Sequence, residues 1–170
     1  MTTATKSPVQ VRKLGHVVYK VSNVERSVKF YTEVLNFRVS DVNALGMVFL
    51  TGCGDHHTIA LVPAAAGDAA TQPPTAELGL HHFAMEVATL DELFEIRAFL
   101  KREGVPVVWE GRRGAGCNTG LEIHDPDGYA IELYVAIDQI GPSGRARPAG
   151  QWRPAGNLEE ARDNPVPTVW

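Results

Sequence analysis

Six histidines, His16, His56, His57, His81, His82 and His124, are the side chains of this sequence best suited to bind a metal or move a proton near neutral pH. Four of them stand in two adjacent pairs. His16 and His82 lie 66 positions apart, and each opens a run of the form His-x-x-x-x-Val. Strand alternation places His16, Val18 and Lys20 on one face of the first run and His82, Ala84 and Glu86 on one face of the second. His82, not His81, is therefore the mate of His16. Glu132 sits between Ile131 and Leu133, and a carboxylate inside an apolar run costs free energy unless it is paired or ligates a metal. Two histidines on equivalent strands plus this acid would form a two-His, one-carboxylate set, which suits Fe(II) and leaves coordination positions open. Three protein ligands favour a catalytic metal over a closed structural one.

The elements that must position these residues read as one unit written twice. LGHVVYKV (14–21) is a strand, Asn23 a helix N-cap, and Val24, Val28, Tyr31 and Leu35 the apolar stripe of the helix that follows. FRVSDV, GMVFLTG and HTIALVP are three further strands, punctuated by Gly46, Gly52 and Gly54. LHHFAMEV (80–87) restarts the order, with Thr89 and Glu92 as a capping box, Leu93, Ile96, Phe99 and Leu100 as the helix stripe, and Gly104 as the C-cap. VPVVWEG, NTGLEIHD and YAIELYVAID complete it, the last two joined by the Asp125-Pro126-Asp127-Gly128 turn. Val21 and Val87, like the caps Asn23 and Thr89, repeat the spacing of 66, whereas Ile59 and Ile131 are 72 apart. The second copy thus gains six residues before its last strand, and Ala60 occupies the place of Glu132 in the first. The predicted architecture is α+β: two tandem βαβββ modules. The predicted boundaries are a flexible arm at 1–12, one domain at 13–138 (modules 13–63 and 78–138, linker 64–77), and a tail at 139–170. The tail is expected to wrap the domain, with Trp152, Val166 and Trp170 seeking a groove and Leu158–Arg162 able to form a helical turn.

Composition narrows the function classes. A chain of 170 residues, 44% hydrophobic and 21% charged, can bury a core without staples. Cys53 and Cys117 form no CxxC, and no signal-like segment precedes the first strand, so a reduced, cytoplasmic compartment is expected. No apolar run is long enough to span a bilayer. A net charge of -4 argues against a nucleic-acid partner despite Arg145, Arg147 and Arg153 in the tail. Phe30, Tyr31, Phe37, Phe49, Phe83 and Phe94 read as core residues. Both modules lie in one chain, so a complete site can form within a protomer, and the tail is apolar enough to supply an interface for a homo-oligomer.

LGHVVYKVSNVERSVKFYTEVLNF and DPDGYAIELY, over residues 13–138, resemble the vicinal oxygen chelate superfamily, the glyoxalase, bleomycin resistance and extradiol dioxygenase fold. The resemblance implies that the two modules form a cup-shaped mixed sheet around a metal site, with His16, His82 and Glu132 as the metal ligands. DHHTIALVP followed by LHHFAMEV resembles a one-domain type I extradiol dioxygenase, which implies Fe(II), a catechol-like aromatic substrate, dioxygen, and His57 as an acid-base group. Parity sets His57 with Ile59 and Leu61, so a turn must re-aim it if Ala60 lies on the metal side; His56 is the alternative by parity alone. Where the extradiol pattern has a second histidine and a tyrosine, this sequence has Arg113 and Glu122, which are assigned to substrate together with His124. Two other outcomes are compatible with the superfamily: an isomerase, epimerase or lyase using Mn, Ni, Zn or another divalent metal as a Lewis acid, and a non-catalytic small-molecule binding or resistance protein, against which the ligand trio counts.

Overall fold

The strand-helix-strand-strand-strand order occurs twice in the computed structural model, once in each of two compact units spanning residues 1–70 and 71–170. The residues described are 13–64, 80–139 and 146–167. The N-terminal arm, all but the first residue of the linker, Arg145 and Trp170 lie outside them.

In the first unit β1 (Val17–Val21) leads to α1 (Val24–Glu33), then β2 (Arg38–Val42), β3 (Val48–Thr51) and β4 (Ile59–Pro63). Asn23 caps α1 by accepting a hydrogen bond from the Arg26 amide at 2.9 Å. The helix packs on β2, β3 and β4. Its buried face centres on Tyr31 and on Ser27, a polar residue that the apolar stripe passes over. The sheet runs β1-β4-β3-β2, parallel between β1 and β4 and antiparallel elsewhere. Tyr19, Val21, Ile59 and Leu61 are buried, all at alternate positions that share a face.

The second unit repeats this with β5 (His82–Glu86), α2 (Leu90–Arg102), β6 (Val107–Arg112), β7 (Thr119–His124) and β8 (Ala130–Val135) in the order β5-β8-β7-β6. Thr89 Oγ1 accepts from the Glu92 amide, and the Glu92 carboxylate reaches back to the Ala88 amide at 2.8 Å. Gly104 ends the helix at φ 72°, in the left-handed region. Phe83, Leu93, Leu100, Leu121, Ile123 and Ile131 form the core.

The pairing register carries both repeat offsets. Val18 pairs with Ala60, and Ala84 pairs with Glu132, which are displaced from them by 66 and 72 positions. Each unit also has a register shift in its hairpin, between Val39 and Asp41 in β2 and between Val107 and Trp109 in β6. Residues 146–167 pack on the second unit. Ala155 forms an antiparallel bridge with Arg112 at the β6 edge, and α3 (Leu158–Asp163) packs on β6 and β7. The anchors are small or aliphatic: Ala155, Leu158 and Ala161 are buried, whereas Trp152 and Val166 stay partly exposed. A Cβ on Gly111 would stand 2.2 Å from the Ala155 carbonyl oxygen, so only glycine admits the bridge. Arg112 is almost fully buried and donates to Thr119 Oγ1 and to the carbonyls of Arg153 and Ala161. Arg97 joins Glu110 and Glu159, and Phe94 lies beneath both Arg97 and Arg162 rather than in the core.

Candidate metal centre

Each sheet has one face covered by its helix, and the residues singled out for chemistry lie on the other. In the second unit one row crosses the sheet as Ala84, Glu132, Glu122 and Trp109. His82 begins β5 two residues before Ala84, on the same face, and its Nε2 stands 3.3 Å from Glu132 Oε2. The Glu132 side chain is 4% exposed and that of His82 32%, so the carboxylate is the buried member of the pair. His81 is exposed and touches His82 through its Nδ1 at 2.7 Å.

Three further side chains surround Glu132. Asn118 donates from Nδ2 to Oε1 at 2.7 Å. Arg113 places its Nε 3.9 Å from the same oxygen and donates from Nη2 to Glu122 Oε2 at 2.8 Å, while its guanidinium lies 3.7 Å from the centre of the Trp109 ring. Tyr134, two residues beyond Glu132 on the same strand face, has its phenol pKa raised by burial and by the nearby Glu86 and Glu132 carboxylates. His124 is exposed at the end of β7, opposite Ala130. The sequence reading missed Asn118, Trp109 and Tyr134. For Tyr134 the signal was the period-two spacing from Glu132; for Trp109 and Asn118 it lay in a bulge and a turn.

The equivalent row of the first unit is Val18, Ala60, Phe49 and Asp41. Here the polar groups come from just outside the strands. His16 immediately precedes β1, and the His57 ring lies 4.6 Å from it and 5.0 Å from that of Phe49, which pairs with Ala60. The bends at residues 52–56 break alternation, and His57 thereby joins the Ala60 face despite its parity. His56 is exposed and contacts His57 through Nδ1 at 3.0 Å. Desolvation, then the positive potential of His16 and His56, pulls the His57 pKa below its ordinary value. Phe49 belongs to this histidine cluster, not to the core.

Within either unit, among the described residues, no three His, Cys, Asp or Glu side chains gather as a metal-holding group. The second unit presents one imidazole and one buried carboxylate oxygen turned toward each other. That donor chemistry fits half of a site for Fe(II), Mn(II) or a similar divalent ion.

Residues 13–133 match the Glyoxalase/Bleomycin resistance protein/Dioxygenase superfamily. The chain belongs to that superfamily. Metapyrocatechase 2 of Cupriavidus necator is 31% identical over 140 residues, which cover 81% of this chain and 40% of the relative. Biphenyl-2,3-diol 1,2-dioxygenase 2 of Rhodococcus globerulus is 32% identical over 123 residues, covering 72% of this chain and 62% of the relative. The chain thus spans less than two thirds of either relative. The crystal structure of lactoylglutathione lyase from Agrobacterium tumefaciens shares the superfamily fold at a TM-score of 0.55 and 19% identity, over 76% of this chain and 96% of that one. No helix among the described residues is long and apolar enough to cross a membrane.

Proposed function

We propose that this superfamily member is a metal-dependent ring-cleavage dioxygenase acting on a catechol-like aromatic diol, with His16, His82 and Glu132 as the ligands of an Fe(II) ion. The observation that carries this reading is the His82–Glu132 pair, a buried carboxylate turned toward an imidazole at 3.3 Å, in a chain about 30% identical to enzymes named for diol cleavage. A divalent metal held by this trio would supply Lewis acidity toward a vicinal diol. The chain's own residues do the rest. His57, beside His16, accepts the proton that the diol gives up on binding and returns it later. Phe49 packs its ring against His57 and limits the directions in which the imidazole can turn. Tyr134, its phenol kept protonated, can donate a hydrogen bond on the face that carries Glu132.

The test is anaerobic purification followed by metal analysis, then addition of catechols with dioxygen. Bound iron, oxygen uptake and a yellow ring-fission product are expected.

A second reading rests on the Arg113–Glu122 pair, bonded at 2.8 Å where the extradiol pattern has a histidine and a tyrosine. An ion pair there replaces two neutral proton-transfer groups, which favours Lewis-acid isomerisation, epimerisation or lyase chemistry with Mn, Ni or Zn. Tight binding of one of those ions with turnover but no oxygen consumption would establish it instead. A chain that binds no metal, and whose small-molecule binding survives His82→Ala, would be a binding or resistance protein.

A further inference from the structure

The two oxygens of Glu132 have different surroundings. Oε1 accepts the Asn118 Nδ2 donor at 2.7 Å and faces Arg113 Nε at 3.9 Å, whereas Oε2 faces His82 Nε2 at 3.3 Å. Asn118 and Glu132 are both buried, at 7% and 3% exposure, so water does not compete freely for either oxygen. Asn118 is itself held by the hairpin between β6 and β7. Its carbonyl accepts from the Arg113 amide at 3.0 Å, and the turn closes through the Cys117 amide donating to the Gly114 carbonyl at 3.3 Å. Gly116 and Cys117 take left-handed conformations, φ 77° and 49°, which fold the turn back onto the sheet, and the Asp138 amide ties the Gly116 carbonyl to the chain beyond β8 at 2.8 Å.

We infer that Asn118, seconded by Arg113, is a positioning residue that decides which oxygen of Glu132 is offered to the metal. The inference rests on the assignment of Glu132 as a ligand. A carboxylate at the end of a glutamate side chain rotates about its last torsion between two nearly equivalent states. A fixed donor on one oxygen breaks that equivalence, and only Oε2 remains on the His82 side. Arg113 adds charge to the same oxygen and is itself fixed by stacking on Trp109 and by its bond to Glu122. Glu122 thereby acts at one remove, by holding Arg113.

The test is Mn(II) binding to the full-length chain, followed by the electron paramagnetic resonance of free Mn(II), with Co(II) absorption as a readout of ligand geometry. Asn118→Ala is expected to weaken Mn(II) binding about 10- to 100-fold, the range typical of lost partners to metal ligands. It should also alter the Co(II) spectrum while thermal melting shows a folded chain. Asn118→Asp keeps the shape but turns the donor into an acceptor, and is expected to weaken binding at least as much; should the alanine variant fail to fold, this isosteric variant decides. Arg113→Gln should weaken binding less than either. Asn118 variants that fold and bind Mn(II) within about twofold of wild type would overturn the positioning role alone. Wild type that takes up no Mn(II), or Glu132→Ala that binds it unchanged, would overturn the ligand assignment and the positioning role with it.

Discussion

The two sheets share strand order, pairing register and even the place of a bulge, yet one row of side chains differs between them almost completely. In the first unit it reads Val18, Ala60, Phe49, Asp41; in the second, Ala84, Glu132, Glu122, Trp109. One backbone thus supports an apolar floor flanked by histidines in one copy and a networked carboxylate in the other. The difference teaches that a duplicated scaffold fixes where a ligand can stand but not what supports it. Glu132 is tolerable because Asn118, Arg113 and His82 surround it. Ala60 has Val18 and Phe49 beside it in the row, and neither side chain donates a hydrogen bond.

The sharpest break is Glu132→Ala, which makes the second row resemble the first. It should abolish metal uptake and lower turnover by about 10³-fold or more, since metal Lewis acidity contributes several kcal/mol; metal content and steady-state rates measure it. Next is His57→Phe, which tests whether the first copy contributes a proton group and not a ligand. Turnover should fall about 10²-fold or more, as for loss of a general acid-base group, with metal content unchanged. Loss of metal in that variant would make His57 a ligand or a structural residue. The reverse graft, Ala60→Glu, places a carboxylate at a fully buried position whose row neighbours, Val18 and Phe49, donate no hydrogen bond, and should cost about 3 kcal/mol through overpacking and desolvation, read by denaturant unfolding.

The described part of the tail packs on the second unit, through α3 on β6 and β7. Leu158→Ala empties a fully buried site in α3 and should cost at least about 2 kcal/mol of second-unit stability. The smallest effect is electrostatic. The Arg97 guanidinium holds the Glu159 carboxyl down at about 2, and Arg147, paired with Asp138 through two bonds of 2.8 Å, holds that carboxyl below its usual range. Both folded-state values are depressed. The contribution is therefore fully present above the ordinary carboxylate range and is lost as pH falls toward about 2. Acid titration followed by Trp152 fluorescence should show the tail loosening in that window, and Arg97→Ala should remove part of the dependence.

Much of this was legible in the sequence because backbone pairing obeys simple periods. The offsets of 66 and 72 are the same in the letters and in the register, and alternation alone selected His82 over His81. Alternation failed where the chain leaves the strand: the bends at 52–56 turn His57 toward Phe49, a result that parity cannot supply. Asn118 was invisible because its role depends on two left-handed residues closing a turn, one of them a cysteine. Hydrophobicity alone does not rank the tail's anchors. Close approach at Gly111 selects a small residue, so Ala155 is buried there, whereas Trp152 stays partly exposed against Gly114.

The Ala155–Arg112 bridge has one more consequence, for self-association. β6 is an outer strand of its sheet, and an outer strand with free amides and carbonyls is a template for another chain. The second unit closes part of that template with its own residues, whereas β2, the corresponding outer strand of the first unit, is exposed along its whole length. The charges of Arg38 and Asp41 and the kink at the β2 bulge are what guard it. Chains shortened before residue 146 would leave β6 as open as β2, and should be judged first by whether they stay dispersed at high concentration.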